Sequence, residues 1–185
     1  MKQEILKKGK LLLASPSILN DKSFNRSAIL LTEHDENGSI GFIVNRPLDY
    51  KLNDLVPETD CEFVIYQGGP VSPENLYFVH NVPDLIPKSI EIANNIYWGG
   101  DFETVSDLLR KNQISENNIR FFLGYSGWDV NQLDFELDND KAWLVIDNNY
   151  KNILSTSESI WKNQIMLLGG KYSIWANAPK NPNLN

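Results

Sequence analysis

Ser126 lies in Gly124-Tyr125-Ser126-Gly127-Trp128, a serine between glycines of the kind that carries nucleophiles in acyl transfer. The hydrolase elbow Gly-x-Ser-x-Gly needs a glycine where this chain has Trp128. Its histidine also follows the serine, whereas His34 and His80 both precede Ser126. Triads of other order exist, so a hydrolase-like enzyme using Ser126 or His80, with Arg46 stabilising charge, stays open as the alternative. The preferred reading gives the Ser126 hydroxyl a main-chain partner at a glycine corner and assigns no catalytic residue.

Metal and nucleotide chemistry find less support. Two distant histidines and the single Cys61 cannot assemble a structural zinc set, and His34-Asp35-Glu36 reads as a solvated turn. Neither Gly-x-Gly-x-x-Gly nor a P-loop occurs, so no metal or cofactor is expected. Gln67-Gly68-Gly69-Pro70-Val71 could cradle an anion on bare amides, but Pro70 removes one donor. A strand exit where another backbone packs close is preferred there. Arg46, between an apolar run and Pro47, should hold its guanidinium near the protein body, paired with Glu136 or another acid.

The elements that position these residues are mostly strands. Lys10 to Ala14 is the first, stopped by Ser15-Pro16. Ala28-Ile29-Leu30-Leu31 and Ile40 to Val44 flank Asn37-Gly38, which marks a hairpin. Lys51 to Val56 suits one helical turn. Phe63 to Tyr66 and Leu76 to Val79 are further strands, and Ile90 to Trp98 alternates like one half-exposed strand. Phe102, Val105, Leu108 and Leu109 keep helical spacing behind an Asp101 cap. Phe121 to Leu123 form a strand closed by Gly124 and Gly127, glycines that mark a backbone bent sharply or approached closely. A short acidic helix follows, capped by Asp129 with Gln132 reaching back. Trp143 to Ile146 is a strand, Ile160 to Leu168 a helix closed by Gly169-Gly170, and the tail from Ala176 is irregular. The class is α+β: mixed, largely antiparallel sheets with a few flanking helices, in one domain spanning residues 1–185.

Four pieces in order carry a resemblance across essentially the whole chain. They are Leu11 to Pro16 with Phe24; Glu33-His34-Asp35 leading to Gly41-Phe42-Ile43-Val44-Asn45-Arg46-Pro47; Gln67 to Val71 with His80; and Phe122 to Trp128 with Gln132-Leu133. Together they resemble the YqgE/AlgH family of bacterial proteins. Two positions depart from its pattern, Asn131 for a usual glycine and Asp134 for a glutamate. The resemblance implies a barrel-like α+β core, and a transcriptional-regulator label travels with the family's poorly defined function.

The net charge of −7 is the wrong sign for a nucleic-acid footprint, so direct DNA binding is not expected. Lys2, Lys7, Lys8 and Lys10 read as a solvated N-terminal arm. The four-residue apolar run after them is too short for a signal core, and a single cysteine suits a reducing compartment, so a cytoplasmic protein is expected. The leading reading is a non-catalytic binding or regulatory protein with a protein or small-molecule partner. Asn45, Arg46, Gly69, Pro70, Tyr125, Gly127 and Trp128 are the candidate ligand-binding residues, expected around one surface cleft.

Overall fold

The computed structural model describes residues 6–148 and 153–177. Its strands are β1 (Leu11–Ala14), β2 (Ala28–Asp35), β3 (Gly38–Ile43), β4 (Pro47–Lys51), β5 (Val64–Gln67), β6 (Val71–His80), β7 (Ile90–Ala93), β8 (Ile96–Trp98), β9 (Ile119–Trp128) and β10 (Trp143–Ile146). Its helices are α1 (Leu52–Leu55), α2 (Phe102–Arg110), α3 (Gln132–Asp138), α4 (Ile160–Leu168) and α5 (Lys171–Asn177). The class is α+β, as expected. Ten strands form one curled sheet in the order β10-β1-β2-β3-β9-β6-β8-β7, with β5 bridging β4 and β9, and the curl does not close into a barrel. Among the described residues, only the β5–β9 pairing is parallel.

Everything converges on β9. One edge pairs along β6. The other is shared, with β5 beside Phe121–Leu123 and β3 beside Ser126–Trp128. Alternate side chains of a strand point to opposite faces. Phe122 accordingly joins the core of β1, β2, β3 and α4, while Phe121 joins a second core with α1, α2 and Ile65. Both phenylalanines are essentially fully buried.

Of the two readings of Gly124, a sharp bend or a close approach, the structure has the second. Gly124 takes φ +66° and the strand runs on through Tyr125 and Ser126, because β3 and β6 hold the backbone from both sides. The glycine is needed for proximity: a Cβ there would sit 2.6 Å from the Gly69 carbonyl oxygen, and one on Gly69 would sit 2.2 Å from the Tyr125 carbonyl carbon. The two glycine motifs read separately in sequence are thus one close backbone crossing.

Other elements differ from expectation for local reasons. Ile90 to Trp98 is a hairpin, since Asn94 and Asn95 take φ 53° and 61°, a left-handed turn that asparagine tolerates. The acidic helix starts at Gln132, with Asn131 at φ 61° as its N-cap, so the usual glycine there is replaced by the next most permissive residue. Gln132 does reach back, accepting the Asp129 N–H at 2.9 Å. Lys10 is not part of a solvated arm: it is buried and ion-paired to Asp147, while Lys8 donates to the Glu91 carbonyl at 2.9 Å. Ala176 and Asn177 end α5 instead of opening an irregular tail. Lys2, and the tail prolines Pro179 and Pro182, lie outside the described residues.

Candidate binding site

The loop 19–27 is wound on Asp21, whose Oδ1 accepts the N–H groups of Ser23 at 2.7 Å and Phe24 at 2.9 Å. That winding presents the Ser23 and Asn25 carbonyls to Arg46, whose Nη1 and Nη2 donate to them. The expected pair with Glu136 is absent. Burial lowers the Arg46 pKa from its ordinary value, only partly countered by the nearby charge of Asp21, and the guanidinium stays protonated. Asn45 works beside it. Its Oδ1 accepts the Ala28 N–H at 2.9 Å, and its Nδ2 donates to the Arg26 carbonyl at 3.0 Å and, more distantly, to that of Glu158. Both side chains are therefore spent on pinning main chain at the β3–β4 junction.

What they pin is the wall of a cleft of about 600 Å³, lined by Lys22, Asn25, Arg26, Asn45 and Arg46 on one side and by Glu158, Ser159, Trp161 and Lys162 on the other. The Arg26 guanidinium lies 5.4 Å from the centre of the Trp161 ring, close enough for a cation–π contact. The buried Trp161 is itself anchored through Nε1 to the Ala14 carbonyl at 2.8 Å. Opposite the loop stands the first turn of α4, whose N-cap Ser159 makes no side-chain bond to the helix amides. Its hydroxyl is taken up by Ser157 at 2.7 Å and by the Asn163 amide at 3.2 Å.

Tyr125, Gly127 and Trp128 line a different, acidic cleft of about 400 Å³ with Glu33, Asp35 and Asp129. The candidate residues are thus divided between two clefts, and Gly69 and Pro70 line neither. Gly69 is buried against the Tyr125 backbone and Pro70 is exposed. Only the edge of Trp128 reaches its cleft, since the residue is 5% exposed. Its indole N–H donates to Glu136 Oε2 at 2.9 Å, Trp143 donates to the same oxygen at 2.8 Å, and Gln132 holds Oε1 at 2.8 Å. Phe24 completes the cluster, its ring centre 6.2 Å from that of Trp128 and 5.4 Å from that of Trp143.

The catalytic alternatives are housed differently. Ser126 is fully buried and its Oγ donates to the Gly68 carbonyl at 3.0 Å, the main-chain bond expected of it. His80 is fully buried too. Its Nδ1 accepts the Val82 N–H at 3.3 Å, which leaves Nε2 to donate to the Gly99 carbonyl at 3.2 Å, so the ring is neutral. Burial pushes its pKa below the usual value. His34 Nδ1 meets Ser39 Oγ at 2.8 Å across the β2–β3 hairpin.

Several polar residues here escaped sequence reasoning. Lys22, Arg26 and Lys162 come together only through the fold, and nothing local marks them. Arg120 carried a signal: a lone cation in the apolar run Ile119-Arg120-Phe121-Phe122. It is buried, stacked 4.1 Å over the Tyr66 ring, with Nη1 donating to the Val44 carbonyl at 2.8 Å and Nη2 to that of Thr156 at 3.1 Å.

A family model described as AlgH-like matches residues 11–173. The chain belongs to the AlgH-like family. A UPF0301 protein from Chlorobium limicola is 40% identical over 182 residues, covering 97% of this chain and 96% of that one. Another from Cytophaga hutchinsonii is 38% identical and covers 98% and 100%. Among solved structures, the solution structure of the AlgH protein from Pseudomonas aeruginosa superposes with a TM-score of 0.73 at 24% identity, covering 97% of this chain and 98% of that one. A crystal structure of a Corynebacterium diphtheriae protein gives 0.75 at 20% identity, covering 96% and 95%. At such identities these two similarities speak to the fold alone. No helix among the described residues is long and apolar enough to cross a membrane.

Proposed function

We propose that this family member is a cytoplasmic, non-catalytic binding protein, with regulation exerted through what it binds. The ligand site is the cleft between loop 19–27 and the first turn of α4. The observation that carries this reading is the use made of Asn45 and Arg46: their hydrogen bonds fix the wall of a cleft of about 600 Å³. A concavity of that size falls within the range of small-molecule sites, and a preset wall lowers the ordering cost of binding. The hydrolase alternative asks Ser126 or His80 to meet a substrate, yet both are fully buried with their polar atoms committed to backbone. The regulator label is accommodated without DNA contact, in keeping with the charge of −7.

The test is a fragment screen of mixed charge read by amide chemical shifts. Hits that perturb residues 22–26, 45–46 and 159–162 as one contiguous set are expected. A screen in which no fragment of any charge perturbs that set would remove the reading.

A further inference from the structure

The cleft is strongly cationic on a strongly acidic protein. Lys22, Arg26, Arg46 and Lys162 line it against one carboxylate, Glu158, while the chain as a whole carries −7. Among the described residues, no carboxylate lies within salt-bridge distance of Lys22, Arg46 or Lys162. Arg46 is half-buried and its terminal nitrogens meet only carbonyl oxygens, which satisfy its donors without neutralising its charge. Elsewhere some described cations do find acids, as Lys10 does with Asp147, Lys88 with Asp101 and Arg110 with Asp107, while Lys8 and Arg120 meet carbonyl oxygens. Four cations thus gather in one concavity against a single lining carboxylate, with Asp21 the acid whose charge reaches Arg46.

The opposite wall adds donors of a second kind. The nine-residue helix α4 has no acidic residue in its first turn and no side-chain cap; the Ile160 N–H is taken by the Ser157 carbonyl, which leaves the amides of the cleft-lining Trp161 and Lys162 without a side-chain acceptor. Amides at a helix start favour negative charge through both their free N–H groups and the aligned peptide dipoles. The ammonium groups of Lys22 and Lys162 and the amides of α4, arriving from different directions beside the fixed charge of Arg46, suit a tetrahedral oxyanion better than a planar carboxylate. The volume exceeds what one inorganic phosphate fills, and Asn25, Asn45 and Ser159 supply neutral polar lining for the remainder.

We infer that the cleft binds a small, soluble phosphate monoester, with its phosphate between Lys22, Lys162 and the start of α4 and its polar body toward Asn25 and Asn45. This rests on the binding reading above and narrows its ligand class. An extended polyanion is disfavoured, because a duplex or strand long enough to lie across the cleft would also face the acidic remainder of the surface.

The experiment titrates isotopically labelled protein with glycerol 3-phosphate, with glycerol at equal concentration, and with a short single-stranded oligonucleotide. Glycerol 3-phosphate is expected to shift the amides of Trp161 and Lys162 saturably, with glycerol inert. Lys22→Glu and Lys162→Glu, both at exposed positions, should each weaken the apparent affinity at least tenfold while leaving the remaining spectrum unchanged. Equal affinity in parent and both variants would overturn the inference, as would saturable binding of the oligonucleotide with none of the monoester. If uncharged fragments perturb the cleft while the monoester does not, the anion inference fails and the binding reading stands. If nothing of any charge perturbs it, both fail.

Discussion

Trp128→Ala measures how far the aromatic cluster under the acidic cleft holds the fold. The indole is 5% exposed, meets Phe24 and Trp143, and donates to Glu136. Truncating a large buried aromatic costs about 3–5 kcal/mol when the site cannot collapse. Collapse is hindered here because β3 and α3 hold the cavity walls from both sides. A urea m-value of about 2 kcal/mol per molar turns a loss of about 4 kcal/mol into a midpoint about 2 M lower. Trp128→Phe separates packing from hydrogen bonding. It keeps most of the apolar contact and loses one bond to a carboxylate, worth about 1.5–3 kcal/mol, so its midpoint should fall by about 1 M. Equilibrium urea unfolding followed by far-ultraviolet circular dichroism reads both. A Trp128→Ala midpoint within about 0.2 M of the parent would refute the assignment of Trp128 to the core.

Three further outcomes are expected. A fluorophosphonate probe should leave Ser126 unlabelled by mass spectrometry, because its hydroxyl is buried and bonded to Gly68; stoichiometric labelling lost in Ser126→Ala would restore the hydrolase reading. Burial lowers the His80 pKa, so the unfolded chain takes up the proton first. The stability that neutral His80 contributes is complete above its unfolded value of about 6.5 and drains away as pH falls from there toward the folded value. His80→Phe should therefore lose less stability than the parent between pH 7 and 5, and equal slopes would contradict the buried neutral ring. The isolated protein should show no footprint on defined promoter DNA at physiological salt; a specific complex with a Kd near ~10 nM would overturn that.

Much of the fold was legible because its signals are local. Asp101 caps α2 through the Thr104 N–H at 3.0 Å, as its position before Phe102 implies. The Asn37-Gly38 hairpin closes where expected, with Asp35 paired to Gly38. What was not legible depends on distant partners. The backbone of β9 continues through Gly124 only because β3 and β6 arrive from elsewhere in the chain. Arg46 takes carbonyls of a loop 21 and 23 residues upstream, and a sequence offers no way to rank those above a carboxylate. Asn94-Asn95 could have been read as a turn, but the alternation from Ile90 to Trp98 pointed the other way.

The candidate site divides on the same line. Asn45 and Arg46 stood out from their neighbours in sequence and do border the larger cleft, though by building it. Gly69 and Gly124 were visible as glycines, but their mutual approach is a tertiary fact. Lys22, Arg26 and Lys162 are ordinary surface cations until the loop and α4 are placed side by side.

Native mass spectrometry of the intact protein, equilibrated with a small-molecule extract of bacterial cytoplasm, tests the claim of a ligand-binding cleft most directly. A discrete adduct of small-molecule mass at one equivalent is expected, retained by Trp128→Phe and lost when Asn25→Trp fills the cleft without unfolding the chain. Recovery of the unliganded mass alone, or an adduct that survives Asn25→Trp undiminished, would contradict it.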